Sequence, residues 1–148
     1  VDSYPTYYWY FDTIMTLASL YLWAPDKEKP MIAKLLDDHQ AWLREHATVK
    51  STGLPRARPG DPSRGCDLSM QICMLANVNP KITKDLYQKF VKAHWSDHTI
   101  VAGFTEWPKG HPVPGTGDID SGPVFMEIGA TASGVGIGAA IAVETKRV

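Results

Sequence analysis

Cysteine is scarce: Cys66 and Cys73 are the only two in 148 residues. Seven residues apart on one helix, they would share a face but lie about 10 Å from each other. A disulfide tolerates roughly 7 Å between Cα atoms, so no bond between them is expected, and two free thiols fit a reducing compartment. An excess of one charge is missing as well. Fifteen Lys and Arg face sixteen Asp and Glu, for a formal net charge of −1, and no basic stripe is present. That removes the electrostatic footprint of nucleic-acid binding and suits a neutral small molecule or a carbohydrate. No signal-peptide pattern opens the chain. Because it starts at Val1 rather than Met, a processed or trimmed product is expected, its targeting segment removed and its compartment open. Strand signals are absent. So is the acidic, oxygen-rich spacing of a calcium loop, and no cofactor or metal site is expected.

What the chain has instead is helical periodicity. Tyr4 to Trp23 is aromatic-rich, with Ile14, Leu17, Ala18, Tyr21 and Leu22 at helical spacing. Lys29 to Val49 reads as an amphipathic helix, with Ile32, Leu35, Leu36, Trp42 and Leu43 inward and Lys34, Asp37, Arg44 and Glu45 toward water. Thr48 to Arg64, rich in Gly, Pro and Arg, reads as a long surface loop of the kind that covers a site. Cys66 to Asn77 predicts an apolar helix, and Pro80 to Trp95 an amphipathic one with proline near its start. Ile100 to Gly117 is a second long loop, followed by a helix from about Pro123 to Val143. That last run contains the small-xxx-small spacing Gly134-Val135-Gly136-Ile137-Gly138. Glu127, the glycines and the many alanines make it a poor membrane span, and tight packing on every side inside a soluble protein is expected instead.

The order alternates between apolar and amphipathic helices. A helix apolar all round lies inside, and an amphipathic one covers it. The expected fold is all-α, a partial α/α toroid of alternating inner and outer helices with long loops, forming a single helical domain over 1–148. Inner helices of a toroid run the same way, so their N-termini share one rim. Five helices make less than half of a six-hairpin ring, and a last inner helix with nothing after it exposes apolar surface. A missing N-terminal half, with this chain as the C-terminal portion, or a second chain closing the ring is the expected partner.

That rim collects the candidate catalytic residues: Asp12 on the first inner helix, Cys66 and Asp67 on the second, Glu106 in the loop ahead, and Asp118 and Asp120 before the third. Trp9, Arg64, Trp107 and His111 are the candidate substrate contacts. Converging carboxylates among aromatics are the equipment of acid–base work and of sugar cleavage. In an extended segment Asp118 and Asp120 point the same way, and close carboxylates raise one pKa. The plain alternative is capping, since Asp67, Asp120 and Ser121 all suit helix starts. Cys66, at a helix start beside Arg64, is expected to have a depressed pKa and nucleophilic character, or else to be a small core side chain, as Cys73 is. His94 and His98 fall four apart on one helical face, but that helix is an outer one and no third zinc ligand accompanies them.

Trp9-Tyr10-Phe11-Asp12-Thr13, Ser63-Arg64-Gly65-Cys66-Asp67-Leu68-Ser69, Glu106-Trp107-Pro108 and Asp118-Ile119-Asp120-Ser121-Gly122-Pro123 occur in this order. Together they resemble the C-terminal half of bacterial (α/α)6-toroid, or six-hairpin, proteins distantly similar to linalool dehydratase-isomerase. The resemblance covers nearly the whole chain. It implies cysteine and acid–base side chains around a central apolar cavity, with Cys66 at the expected helix start. The same toroid hosts glycoside hydrolases and polysaccharide lyases. Three functions follow as expectations: hydrolase or lyase chemistry on a carbohydrate in a central cleft, a dehydratase or isomerase of an apolar alcohol using Cys66, and a non-enzymatic helical binding or scaffold module.

Overall fold

Proline and asparagine set the helix boundaries. In the computed structural model, which describes residues 5, 8–112 and 117–145, α1 (Tyr10–Trp23) stops where Ala24 turns extended ahead of Pro25. Helix α2 (Lys29–His46) carries Pro30 in its first turn. After α3 (Gly65–Leu75), Asn79 opens α4 (Pro80–His94), its side chain accepting from the Ile82 N–H at 3.2 Å. The last helix, α5, spans Ala130–Thr145. Helix accounts for 54% of the described residues, and the chain is mostly helical. Tyr4, Thr6 and Tyr7, in the stretch where the first helix was expected to open, lie outside the described residues, as do Val1 and 113–116 of the second loop.

Strands are present where none was expected. Three antiparallel pairs form: β1 (Thr48–Val49) with β2 (Leu54–Pro55), β3 (Trp95–Asp97) with β4 (Ala102–Phe104), and β5 (Val124–Phe125) with β6 (Ile128–Gly129). Each pair pins one end of a connection to a helix. The β5–β6 hairpin also moves the start of α5 from the expected Pro123 to Ala130. His98 lies beyond β3 and not on α4, so it shares no helical face with His94.

Helix α3 sits at the centre, with α1 and α5 on either side of it. Helix α2 packs on α1, while α4 packs on both α3 and α5. The starts of α3 and α5 lie together. A Cβ placed on Gly65 would fall 2.8 Å from that of Ala132 and on top of the Thr105 carbonyl, so only glycine lets these segments meet. Further along, the Cys73 thiol donates to the Val135 carbonyl at 3.6 Å, so the two helices run in the same direction. The core gathers Ile14, Leu36, Leu43, Leu68, Ile72, Leu75 and Phe90, and Phe90 stacks on Phe104 at 4.3 Å between centroids.

The flanking helices are not enclosed on every side. On α5 only the Ala132, Gly136 and Ala139 edge is buried, and Ile137 and Ile141 are 64% and 58% exposed. Helix α1 likewise exposes Leu20 and Trp23. On α2, Leu35 and Trp42 lie largely outside and Gln40 is buried in their place. The inward stripe there is Ile32, Leu36, Gln40 and Leu43. Among the described residues no helix is long and apolar enough to cross a membrane.

Candidate functional site

A helix start leaves several backbone N–H groups without partners. At α3 the residue before the helix, Arg64, offers no capping side chain. Glu106, 42 residues beyond Arg64, does that work: its Oε2 accepts from the Cys66 N–H at 3.2 Å. Its own backbone carbonyl accepts from Gly65 N–H at 2.8 Å. The positive end of the helix thus receives a carboxylate, which favours it electrostatically.

Arg64 answers Glu106 from the other side. Its Nε donates to Glu106 Oε1 at 2.7 Å, and a terminal guanidinium nitrogen donates to Asp118 Oδ1 at 2.8 Å. Arg64 and Glu106 are almost fully buried, whereas the Asp118 side chain is 51% exposed. Trp9 and Trp107 lie against the guanidinium, with centroids 5.4 and 5.3 Å from its central carbon. Next to Trp107, His111 stacks at 5.9 Å. Four of the expected site residues, Arg64, Glu106, Trp9 and Trp107, therefore form one packed unit, with Asp118 at its edge.

Beside that unit lie the two groups with the most altered proton affinity. Cys66 donates its thiol toward Glu106 Oε1 at 3.0 Å and Asp67 Oδ1 at 3.3 Å. Burial, then Asp67 and Glu106, push the Cys66 pKa far above that of an ordinary thiol, and Arg64 only partly opposes this. The expectation of a depressed, nucleophilic Cys66 is overturned: the resting thiol is protonated and donates. Asp67 is also deeply buried. Burial raises its pKa to about 7, helped by Glu106 and Asp120 and opposed by Arg64 and the Cys66 hydrogen bond. Among the described residues its Oδ2 has no hydrogen-bond partner. Asp67 lies in the first turn of α3 and does not cap it, because the cap position belongs to Arg64.

The segment Gly117–Pro123 behaves differently from the extended acid pair expected of it. Asp118 Oδ1 accepts from the N–H groups of Asp120 and Ser121 at 3.1 and 2.9 Å, and Ser121 Oγ accepts from the Asp118 N–H at 2.8 Å. This is a closed local turn of the kind Asp favours. Burial opposes ionisation of Asp118. The bonds from Arg64 and Ser121 overcome it and hold the pKa down to about 2. Asp118 is thus an ionised tether for Arg64 and not a raised general acid. Asp120 and Ser121 do not immediately precede α5, since the β5–β6 hairpin intervenes, yet the Ser121 carbonyl accepts from the Thr131 N–H in the first turn of α5 at 3.1 Å. Asp12 lies half-buried in the first turn of α1, where its backbone N–H donates to the Trp9 carbonyl at 3.3 Å, and among the described residues no hydrogen bond or ion pair of its side chain reaches this cluster.

Sequence reasoning missed two buried groups behind the site. Ser63 Oγ lies 3.1 Å from His94 Nε2, and His94 Nδ1 lies 2.9 Å from the Thr105 carbonyl oxygen. A carbonyl only accepts, so Nδ1 carries the proton and Nε2 accepts from the Ser63 hydroxyl. Burial lowers the His94 pKa to about 4, and the ring is neutral at physiological pH. The clue available in sequence was a histidine closing an amphipathic stripe with Thr83, Leu86 and Phe90. Among the described residues no group of three or more His, Cys, Asp and Glu side chains is placed to hold a metal ion. No family model matches the chain, and no curated protein or solved structure proves similar to it.

Proposed function

We propose that this chain forms part of an α/α-toroid enzyme performing acid–base chemistry on a neutral hydroxylated substrate, with Asp67 as the proton-transfer group. The observation that carries this reading is the Asp67 carboxyl: buried, with a pKa of about 7 and one oxygen without a hydrogen-bond partner among the described residues. An acid poised near operating pH both gives and takes a proton efficiently. Arg64, Glu106 and Asp118 hold the start of α3 in place around it. Support for the toroid comes from the shared start and common direction of α3 and α5, and from the apolar faces of α1 and α5 that a continuing ring would cover. On a carbohydrate, Asp67 protonates the leaving oxygen as the C–O bond breaks, in hydrolase or lyase fashion. Asp120 is the carboxylate nearest in role, since its charge already acts on Asp67.

The test is turnover of an oligosaccharide panel by the full-length protein, read as new reducing ends or as new double bonds. Asp67→Asn is expected to lower turnover by about 100-fold or more while the protein stays folded. A folded Asp67→Asn protein with unchanged turnover rejects Asp67 as the acid.

One observation favours a second reading, a dehydratase or isomerase of an apolar alcohol. The Cys66 thiol is protonated and shared between two carboxyl groups. In that place the thiol relays a proton: it gives one to the leaving hydroxyl as it takes one from the protonated Asp67 carboxyl beside it, water departs, and a second carboxylate takes the proton from the neighbouring carbon. Cys66→Ala separates the readings: it abolishes alcohol dehydration under the second and leaves glycoside cleavage largely intact under the first.

A further inference from the structure

Each ring nitrogen of His94 bonds to the residue immediately before a central site residue. Nε2 accepts from Ser63, which precedes Arg64, and Nδ1 donates to the carbonyl of Thr105, which precedes Glu106. The same strand end is fastened twice more to the histidine's own backbone. Its carbonyl accepts from Thr105 N–H at 2.7 Å and from Thr105 Oγ1 at 3.1 Å. Arg64 and Glu106 come from distant parts of the chain and meet in a 2.7 Å ion pair. His94 spans from the Ser63 side chain on one side of that pair to the Thr105 backbone on the other. Both its ends are used and it has no exposed surface.

We propose that His94 is a positioning residue, a buried crossbar that sets the spacing of Arg64 and Glu106 and thereby keeps Glu106 against the Cys66 thiol. The assignment rests on the acid–base reading above, because the geometry it maintains is that of Cys66, Asp67 and Glu106. Two features make histidine apt for this place. Its two nitrogens lie on opposite sides of a rigid ring, so one side chain bonds a donor and an acceptor that are held apart. A neutral ring also spares the interior an unpaired charge, and burial keeps it neutral. The charged groups acting on Cys66 are Asp67 and Arg64 from the start of α3 and Glu106 from the segment after β4. If Glu106 drifts from the thiol, one of the causes that raise the thiol pKa is weakened, and thiolate forms at lower pH.

Cys66 alkylation by iodoacetamide therefore reads the crossbar without any substrate. Labelling is followed against pH in the full chain, with peptide mass spectrometry separating Cys66 from Cys73. His94→Phe keeps the ring's bulk against Phe90 but removes both bonds, while His94→Gln and His94→Asn each keep one polar end. The expected order of Cys66 labelling at mildly alkaline pH is Phe fastest, Gln and Asn intermediate and the unmodified protein slowest, with Phe about tenfold above the last. A role limited to filling space predicts the reverse, with Phe closest to the unmodified protein, and that order overturns the proposal. Where His94→Phe does not fold, Ser63→Ala removes only the Nε2 partner, and labelling of Cys66 unchanged in that variant overturns it equally. The thiol profile and the turnover of Asp67→Asn are separate measurements, so loss of the acid–base reading leaves a distinct signature from loss of the crossbar.

Discussion

Asp67 and Asp118 flank the same arginine and titrate in opposite directions. Asp67 lies in the first turn of α3, deeply buried, with its Oδ1 taken by a thiol and its pKa pushed up to about 7. Asp118 lies in the Gly117–Pro123 turn, half exposed, bonded directly to Arg64 and two backbone N–H groups, and held down to about 2. The cationic neighbour acts on both, but it bonds only Asp118 directly, and that bond is the largest of the causes that lower its pKa. Burial without a direct charged partner raises a carboxyl pKa, and a direct bond with solvent nearby lowers it. One end of the molecule thereby holds a proton reservoir and a fixed anion within reach of one guanidinium.

Removing that guanidinium tests the comparison hardest. Arg64→Met keeps much of the volume between Trp9 and Trp107 but strands the buried Glu106 carboxylate. Breaking a buried ion pair from one side costs about 3–5 kcal/mol, or a fall of roughly 10–20 °C in melting temperature for a domain of this size. Thermal unfolding checks it. A loss within a few degrees would mean that the Glu106 contacts to the Cys66 N–H and thiol suffice without the arginine. Arg64→Lys loses less, since it keeps the charge but not the planar fork that reaches two carboxylates at once.

The next test is the pH dependence of stability, carboxylate by carboxylate. Asp67 has a folded pKa above its unfolded value of 3.8, so the folded state holds the extra proton between pH 3.8 and about 7. Stability from this group is present below pH 3.8 and declines as pH rises through 7. Asp67→Asn cannot ionise. Relative to the unmodified protein it should gain on the order of 4 kcal/mol across that interval, read as the difference between two denaturation curves against pH. Asp118 has the opposite sign: its folded pKa of about 2 lies below 3.8, so its contribution is present above pH 3.8 and fades as pH falls toward 2. Half exposed and screened by solvent, it should contribute only about 1 kcal/mol, and Asp118→Asn should remove that amount at neutral pH. Parallel curves for both variants would dissolve the contrast.

Some of this was legible in the sequence and some was not, for physical reasons. Helices α2 and α4 were readable because a proline or an Asn–Pro pair marks each start and polar residues mark the outer face. Arg64, Cys66, Asp67, Glu106, Trp9, Trp107 and Asp118, named from their places in the sequence, come together in the structure, whereas the Asp12 side chain stands apart. Their roles were not legible. Arg64 and Glu106 are 42 residues apart and their bond depends on β4 delivering Glu106 to the start of α3, which no spacing rule encodes. Of the two readings of Cys66, the small buried side chain agrees with its full burial, while the depressed thiol fails: helix start and arginine both argue for a low thiol pKa, and the burial that outweighs them is a property of packing. Asp118 and Asp120 were expected to lie in an extended segment. The Ser121 hydroxyl and backbone N–H instead close a turn on Asp118.

The missed strands lead to the smallest of the effects. Each is two or three residues long, too short to show an alternation, and the β5–β6 turn carries no turn signal. Its two central residues are Met126 and Glu127, with φ of 50° and 68°, the left-handed region at both positions that a two-residue hairpin demands. Side chains there are strained, and the sequences that suit such turns are Asn–Gly and Asp–Gly. The turn persists because the Glu127 carbonyl accepts from the Glu106 N–H at 3.0 Å, fixing the backbone of the carboxylate that caps α3. Replacing the pair, Met126→Asn with Glu127→Gly, relieves the strain without touching that carbonyl. It should add about 1 kcal/mol, seen as a rise of roughly 2–4 °C in melting temperature, with Cys66 labelling unchanged. A fall in stability would show that the Met126 or Glu127 side chain contributes more than its backbone costs, and that the hairpin is held by its side chains and not by its bond to Glu106.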